Sequence, residues 1–597
     1  MTLQYKHLIA LLSLLLIIPG LIVSSHFIDG YPGGQSTNLN YFWYKNFADQ
    51  FYAGDFLPRW LHQYFFDVGG PVFYFYAPFP FYLLSFLEPV FSNDTYPFLT
   101  LSVWHFLAYS LSGLSFYIFI RPHANSYVSM FAACLYIVLP YHVIDIEIRA
   151  TLGESMAYIW FPMIAHSLVN IRHKHRQIFI GSIGYCLLVL SHLPSALLAS
   201  LFIFLTSAIA GTQPTLLQRS TSALLIGIIG VVLSSFYILP ALFLREYISP
   251  DAWVTASGIH LSPENHLIGS EYQYQLTQQI YNIFSLTTMF ALAILVSCIL
   301  MSRKNPLVTQ DHSMRIKMIQ LSILSVFMIW FLCSPIALPI WQEINILRTV
   351  QFPWRLGVFL EFYALVIITI SLNYIFNWLN KNTKIKKSHL VRLTVVFSFF
   401  VVSAVLSANY LVKSIQPESP QPASKFPSSA PVIPVEYRSI WLTKSKIYQA
   451  NSTDNDFNNI LTAEVAHNEG FERWVRFVFS QPPYWLEIPL QQDESINIKV
   501  LDFETIFFEL KLTSANSVTL RKMYFPIWEI QSSQKNLGIG PDENAGLIKI
   551  NLPPGTYTAI MKPTKFMIED TAAYISIGTL VLFLFYGLKF SGVSRRY

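Results

Sequence analysis

Charge is scarce in this chain. Asp, Glu, Lys and Arg make up 12% of its 597 residues, against 53% hydrophobic residues. A soluble globular protein carries about 25% charged residues. So little charge cannot cover soluble globules of this size, which excludes a cytosolic enzyme, a disordered chain and a nucleic-acid binder. Cysteine is scarce too, with four residues and no CxxC or metal-type spacing. Cys134, Cys186, Cys298 and Cys333 each lie in or beside an apolar stretch, where thiols behave as small hydrophobes, so no disulfide or cysteine metal site is expected. The chain has no P-loop, no GxGxxG after a strand and no HExxH. Without a Walker lysine, ATP-driven transport by this chain is not expected.

Apolar and aromatic residues are what the chain does have, including 48 Phe and 33 Tyr. Mean hydropathy is +0.43. The chain reads as a mainly α polytopic membrane protein. About twelve stretches approach the ~20 residues that cross a bilayer, several of them short. They lie near residues 7–24, 97–120, 126–142, 155–171, 177–191, 194–211, 221–241, 282–302, 318–333, 355–377, 392–410 and 571–589. The first lacks an A-x-A-like site after it and reads as an uncleaved helix.

Loop charge sets the orientation. With the N-terminus inside, the inner loops hold 18 of the 24 basic residues outside the region 411–570, and among their acids only Asp311. This positive-inside bias places both termini in the cytoplasm. The bias also requires the aromatic stretch Pro71–Phe91 not to span, because one more crossing would invert every later loop.

Residues 411–570 differ in composition. They open with the Pro/Ser-rich linker that begins at Gln416, and they hold 15 basic and 18 acidic residues. Alternation in Ile496–Val500 and Leu547–Leu552, the latter followed by Pro553-Pro554-Gly555, reads as short strands between turns. The expected organisation is a transmembrane domain over 1–410 and an exocytoplasmic β-sandwich or jelly-roll-like domain over 411–570. A final helix and cytoplasmic tail follow over 571–597.

The few charges on the outer side are the candidates for chemistry. Asp29 follows the first span at the membrane boundary, where partial desolvation suits a general base; a turn-capping aspartate before Gly30 is the alternative. The second outer loop carries His142, Asp145, Arg149 and Glu154. If helical, it makes Asp145 and Arg149 i,i+4 neighbours. An Arg among carboxylates suits a phosphate or pyrophosphate head group, and Asp145 with Glu154 suits a divalent cation such as Mg2+ or Mn2+. A plain salt bridge that fixes the loop is the alternative. Arg348 and Arg355 flank Trp354 at a helix entrance and suit either anion capture or interfacial anchoring. Glu361 lies within a span and must face protein or water. His192 reads as a helix-end hydrogen bonder or a site residue.

These motifs, taken in order, carry a resemblance. They are Asp29; Gly54-Asp-Phe-Leu-Pro-Arg-Trp60; Gly69-Gly-Pro-Val-Phe-Tyr-Phe-Tyr-Ala-Pro78; Tyr141–Arg149 with Gly153-Glu154; Ser191-His-Leu-Pro194; and Gln351-Phe-Pro-Trp-Arg355. As a set they resemble bacterial membrane proteins labelled 6-pyruvoyl-tetrahydropterin synthase-related. They are similar in plan to YfhO-like proteins and the wider GT-C glycosyltransferase superfamily. Nothing in the chain points to pterin chemistry. The resemblance implies an inverting transfer of a sugar from a polyprenyl-phosphate donor to an envelope glycan or lipid acceptor. It implies Asp29 as general base, Asp145 and Glu154 as assisting acids, and Arg59, Arg149 and Arg355 as phosphate binders. His142 and His192 complete the expected substrate-binding set. Two features depart from the pattern: Asn38 and Asn40 stand where a His is expected, and the first loop has no DxD triplet.

A polyprenol-lipid flippase, or an envelope-assembly scaffold with a glycan-binding β-domain, is the competing non-enzymatic reading. A transporter needs polar residues deep in several spans or broken helices. Here the charges cluster at the outer ends, which favours surface chemistry.

Overall fold

The computed structural model describes residues 3–64, 67–171, 174–209, 215–248, 262–270, 275–302, 310–382, 439–449, 469–502, 505–533 and 536–591. The expected span at 392–410 and the linker from Gln416 lie outside these residues.

Among the described residues, seven helices are long and apolar enough to cross a membrane, over His7–Ile28, Leu99–Ile120, Leu216–Leu233, Leu276–Leu300, Met314–Cys333, Pro353–Trp378 and Met567–Phe585. A bent pair, Ser126–Ile137 with Pro140–Ile148, broken at 40°, reaches the same length and apolarity when its two helices are taken together. The break falls at Leu139, whose φ of −58° and ψ of 136° suit a residue before proline. Other expected spans form shorter or differently divided helices. Ala157–Val169 has 13 residues and Leu193–Ile209 has 17. The expected span at 221–241 divides at Ser234 into Leu216–Leu233 and Ser235–Phe243. The stretch Pro71–Phe91 forms a short helix over Val72–Phe75 and a 13-residue helix over Phe79–Phe91.

The helix within Pro353–Trp378 is the hub of the bundle, with 94% of its most apolar window buried. By contrast, the last helix is 17% buried over its window and presents Leu582 and Phe585 outward. An exposed apolar face of this kind is suited to lipid.

The strands form two antiparallel sheets. These are β1 (Tyr484–Leu486), β2 (Ser495–Val500), β3 (Ile506–Leu512), β4 (Asn516–Met523), β5 (Trp528–Ser532), β6 (Gly538–Pro541), β7 (Leu547–Leu552) and β8 (Gly555–Pro563). One sheet runs β1-β4-β7-β6 and the other β2-β3-β8-β5. Alternation in β3 and β8 puts Phe508, Leu510, Tyr557 and Ala559 into a core shared with Val518, Leu520, Ile548 and Ile550 of the other sheet. Gly555 (φ 143°) ends the turn that carries the chain from β7 in one sheet to β8 in the other.

The same core includes Tyr31, Trp43, Phe47, Trp60 and Phe73 from the early loop region. The docking is also polar. Met523 N–H donates to the Val68 carbonyl at 2.9 Å, and Arg59 Nη1 lies 3.0 Å from Glu569 Oε2 at the start of the last helix. The β-region therefore closes over one end of the helical bundle, the end that carries the polar motifs.

Candidate functional site: a buried ion cluster beneath the β-region

The chain between Pro140 and Met156 is irregular, and that irregularity gathers the charges. A short helix over Pro140–Val143 runs into a π-helical turn over Ile144–Ile148, and a 3-10 turn over Glu154–Met156 follows. Between them Ala150 adopts φ 53°, a left-handed conformation unusual for a residue with a side chain. The early loop holds this reversal. Gln35 N–H donates to Ile148 O, Ser36 N–H to Arg149 O, and the Asn40 side-chain amide to Ala150 O. Gly153 packs so closely that a Cβ there would stand 2.4 Å from the Ser191 carbonyl oxygen.

This path brings Asp145, Arg149 and Glu154 together with Arg355 from the hub helix. Arg149 Nη1 lies 2.5 Å from Asp145 Oδ1 and 2.8 Å from Glu154 Oε2, and Arg355 Nε lies 3.1 Å from the same Glu154 oxygen. Tyr141 donates to Glu154 Oε1 at 2.7 Å. The Arg149 guanidinium stacks over Trp354 at 4.5 Å, and Trp354 in turn stacks on Phe352 at 4.6 Å. Two carboxylates and two guanidinium groups make the formal charge balance, as burial requires. Burial opposes ionisation of Glu154, but Arg149 and Arg355 outweigh it and hold the carboxyl below its usual range. Four polar atoms of the cluster are buried without a hydrogen-bond partner: Asp145 Oδ2, Arg149 Nε, and Glu154 Oε2 and Arg355 Nε, which are ion-paired.

The other expected site residues are placed as follows. His192 adjoins the cluster through Gly153, and its Nδ1 meets the Ser195 hydroxyl at 2.7 Å. Burial pushes the His192 imidazole down to about 3, and Arg355 adds to the shift. His142 stacks on Tyr158 at 3.8 Å and bonds the Tyr136 carbonyl through Nδ1. Arg59 is engaged by Glu569 and by the Phe236 carbonyl at the junction with the last helix. Asp29 is exposed, closing the short helix Ser25–Ile28, whereas Asp145, Arg149 and Glu154 are buried and Arg355 is half-buried. The expected cation position between Asp145 and Glu154 belongs to Arg149, whose Nη1 touches both carboxylates. A divalent cation does not fit beside that guanidinium.

Glu361, expected within a span and facing protein or water, faces protein, whereas Glu147, His26 and His105 were not singled out from the sequence. Glu361 accepts from the Tyr141 and His142 backbone N–H groups at 2.6 and 3.1 Å, and from Tyr158 at 2.9 Å, so it anchors the first turn of the motif. Glu147 is drawn into a second cluster with His26 and His105. The available signal was an ionisable residue inside an apolar run, as His105 is within Leu99–Ile120.

A family model for the 6-pyruvoyl-tetrahydropterin synthase related domain, described as a membrane protein, matches residues 73–411, more than half of the chain. The chain belongs to this family. Within the matched part of this 6-pyruvoyl-tetrahydropterin synthase related protein lie His142, Asp145, Arg149, Glu154, His192 and Arg355; Asp29, Arg59 and the β-strands lie outside it. No curated protein matches the chain.

Proposed function

We propose that this family member is a glycosyltransferase of GT-C plan in the bacterial cytoplasmic membrane, with both termini cytoplasmic and its site on the outer face. It transfers a sugar from a polyprenyl-phosphate donor to an envelope glycan or lipid acceptor. The observation that carries this reading is the Arg149–Arg355 pair. It is held against Asp145 and Glu154 at the bundle end that the β-region covers.

In this scheme the acceptor hydroxyl gives its proton to Asp29, the exposed carboxylate of the set. Its oxygen bonds to the anomeric carbon as the bond from that carbon to the phosphate oxygen breaks. The electron pair leaves with the phosphate. Negative charge then grows on the phosphate, where two preorganised guanidinium groups stabilise it. Arg149 and Arg355 already share Glu154 as an anion, so a phosphate competes with that carboxylate for the same donors. Asp145 keeps Arg149 oriented during the exchange.

Glu361, an acid within a span, is capped by two backbone N–H groups and a tyrosine rather than lining a path. The test is transfer of labelled sugar from polyprenyl-phosphate sugars to glycan or lipid acceptors by the purified chain. Transfer supports the proposal. No turnover with any lipid-linked sugar supports a flippase or scaffold instead.

A further inference from the structure

We propose that His26, His105 and Glu147 form a binding site for one metal ion of the zinc class. It would tie the first apolar helix and the helix Leu99–Ile120 to the π-turn. The proposal stands apart from the transfer reaction and does not depend on it.

Geometry carries it. One ligand atom from each residue lies within 4.8 Å of the others, a span that small ring rotations close onto one ion. His26 and Glu147 are 1% exposed and His105 2%. His26 Nε2 meets Glu147 Oε2 at 2.8 Å. His105 Nδ1 faces the other carboxylate oxygen at 3.6 Å, beyond hydrogen-bond range, and has no hydrogen-bond partner.

Neighbouring side chains orient all three residues. His26 Nδ1 meets the Ser102 hydroxyl at 3.0 Å, His105 Nε2 meets the Tyr31 hydroxyl at 3.1 Å, and Tyr109 donates to Glu147 Oε1 at 3.1 Å. Each imidazole thus has one nitrogen oriented by a partner and the other aimed at the carboxylate. This is how outer partners fix metal-ligating histidines. Two imidazoles and one carboxylate suit Zn2+ and related transition metals; Mg2+ and Ca2+ prefer oxygen donors. A metal here takes the place of the direct contact between His26 Nε2 and Glu147 Oε2. It also pins the π-turn that presents Asp145 and Arg149.

The test uses the full chain purified in detergent, equilibrated with Zn2+ and passed into metal-free buffer. Elemental analysis is expected to find about one zinc per chain. The Co2+ form is expected to show visible ligand-field bands. His105→Ala and Glu147→Gln should each lower bound metal at least about tenfold, while Glu543→Gln at an exposed pair keeps it. Because Glu147→Gln also weakens the local packing, the wild-type cobalt spectrum decides independently of the variants. Absence of bands and of retained zinc in the wild type overturns the proposal. So do bands left unchanged by both His26→Ala and His105→Ala.

Discussion

Glu154 Oε2 lies 2.8 Å from Arg149 Nη1, with both side chains closed off from water. A buried pair of this kind is held in place more by the cost of breaking it than by its net gain.

Removing one partner should therefore destabilise the fold sharply. Glu154→Gln leaves two guanidinium groups short of an anion, an expected loss of about 3–5 kcal/mol. Thermal unfolding in detergent should show a clear drop in midpoint. Glu543→Gln breaks the exposed pair with Lys446 and should leave the midpoint unchanged.

The Trp354 ring should matter through Arg149 as well as through packing. Trp354→Phe keeps an aromatic face but a weaker one, and Trp354→Leu loses it. The cation–π share should cost about 2 kcal/mol for a desolvated pair, read as the difference in unfolding free energy between the two variants after correction for volume.

Gly153 offers a steric test. Gly153→Ala drives a Cβ against the Ser191 carbonyl and should cost about 1–3 kcal/mol, displacing Glu154 as it relaxes. Gly227→Ala, in open space on the helix Leu216–Leu233, should be neutral or stabilising by up to about 1 kcal/mol. Equal effects at both positions would contradict the close approach at Gly153.

Glu494 sets an acid limit for the β-region. Its carboxylate accepts from Gln491 N–H at 2.9 Å, Thr513 N–H at 2.8 Å, the Thr513 hydroxyl at 2.6 Å and Ser514 N–H at 3.0 Å. The Gln491 backbone bond and the Thr513 bonds push its carboxyl down to about 2. A pKa depressed on folding adds stability above the unfolded value of about 4.3, and that stability is lost as pH falls toward the folded value. Hydrogen exchange at the Thr513 and Ser514 amides, corrected for intrinsic rate, should accelerate between about pH 4 and pH 2. Glu494→Gln should remove that acceleration.

The scarcity of charge made part of the site legible. With so few ionisable residues outside the inner loops, Asp145, Arg149, Glu154 and Arg355 stood out before their contacts were visible, and the i,i+4 spacing linked Asp145 to Arg149. Strands β2 and β7 were legible because alternation needs only local burial on one face. The bend at Leu139 and the π-turn were not, because a continuous apolar run has no periodicity that marks a break. The division at Ser234 escaped for the same reason. His26 and Glu147 bond across 121 positions with His105 between them in the chain, so only packing of three separate elements unites them. Nor did the early loop announce that Asn40 would hold the Ala150 carbonyl.

Sugar-transfer rate in Asp29→Asn and Asp145→Asn, compared with wild type under the same lipid-linked donor, tests the central claim most directly. Asp29→Asn should lose about 10²–10⁴-fold in rate from removal of the base. Asp145→Asn should also show a large loss, because Arg149 is no longer held for the leaving phosphate. Full activity in Asp29→Asn would contradict the account.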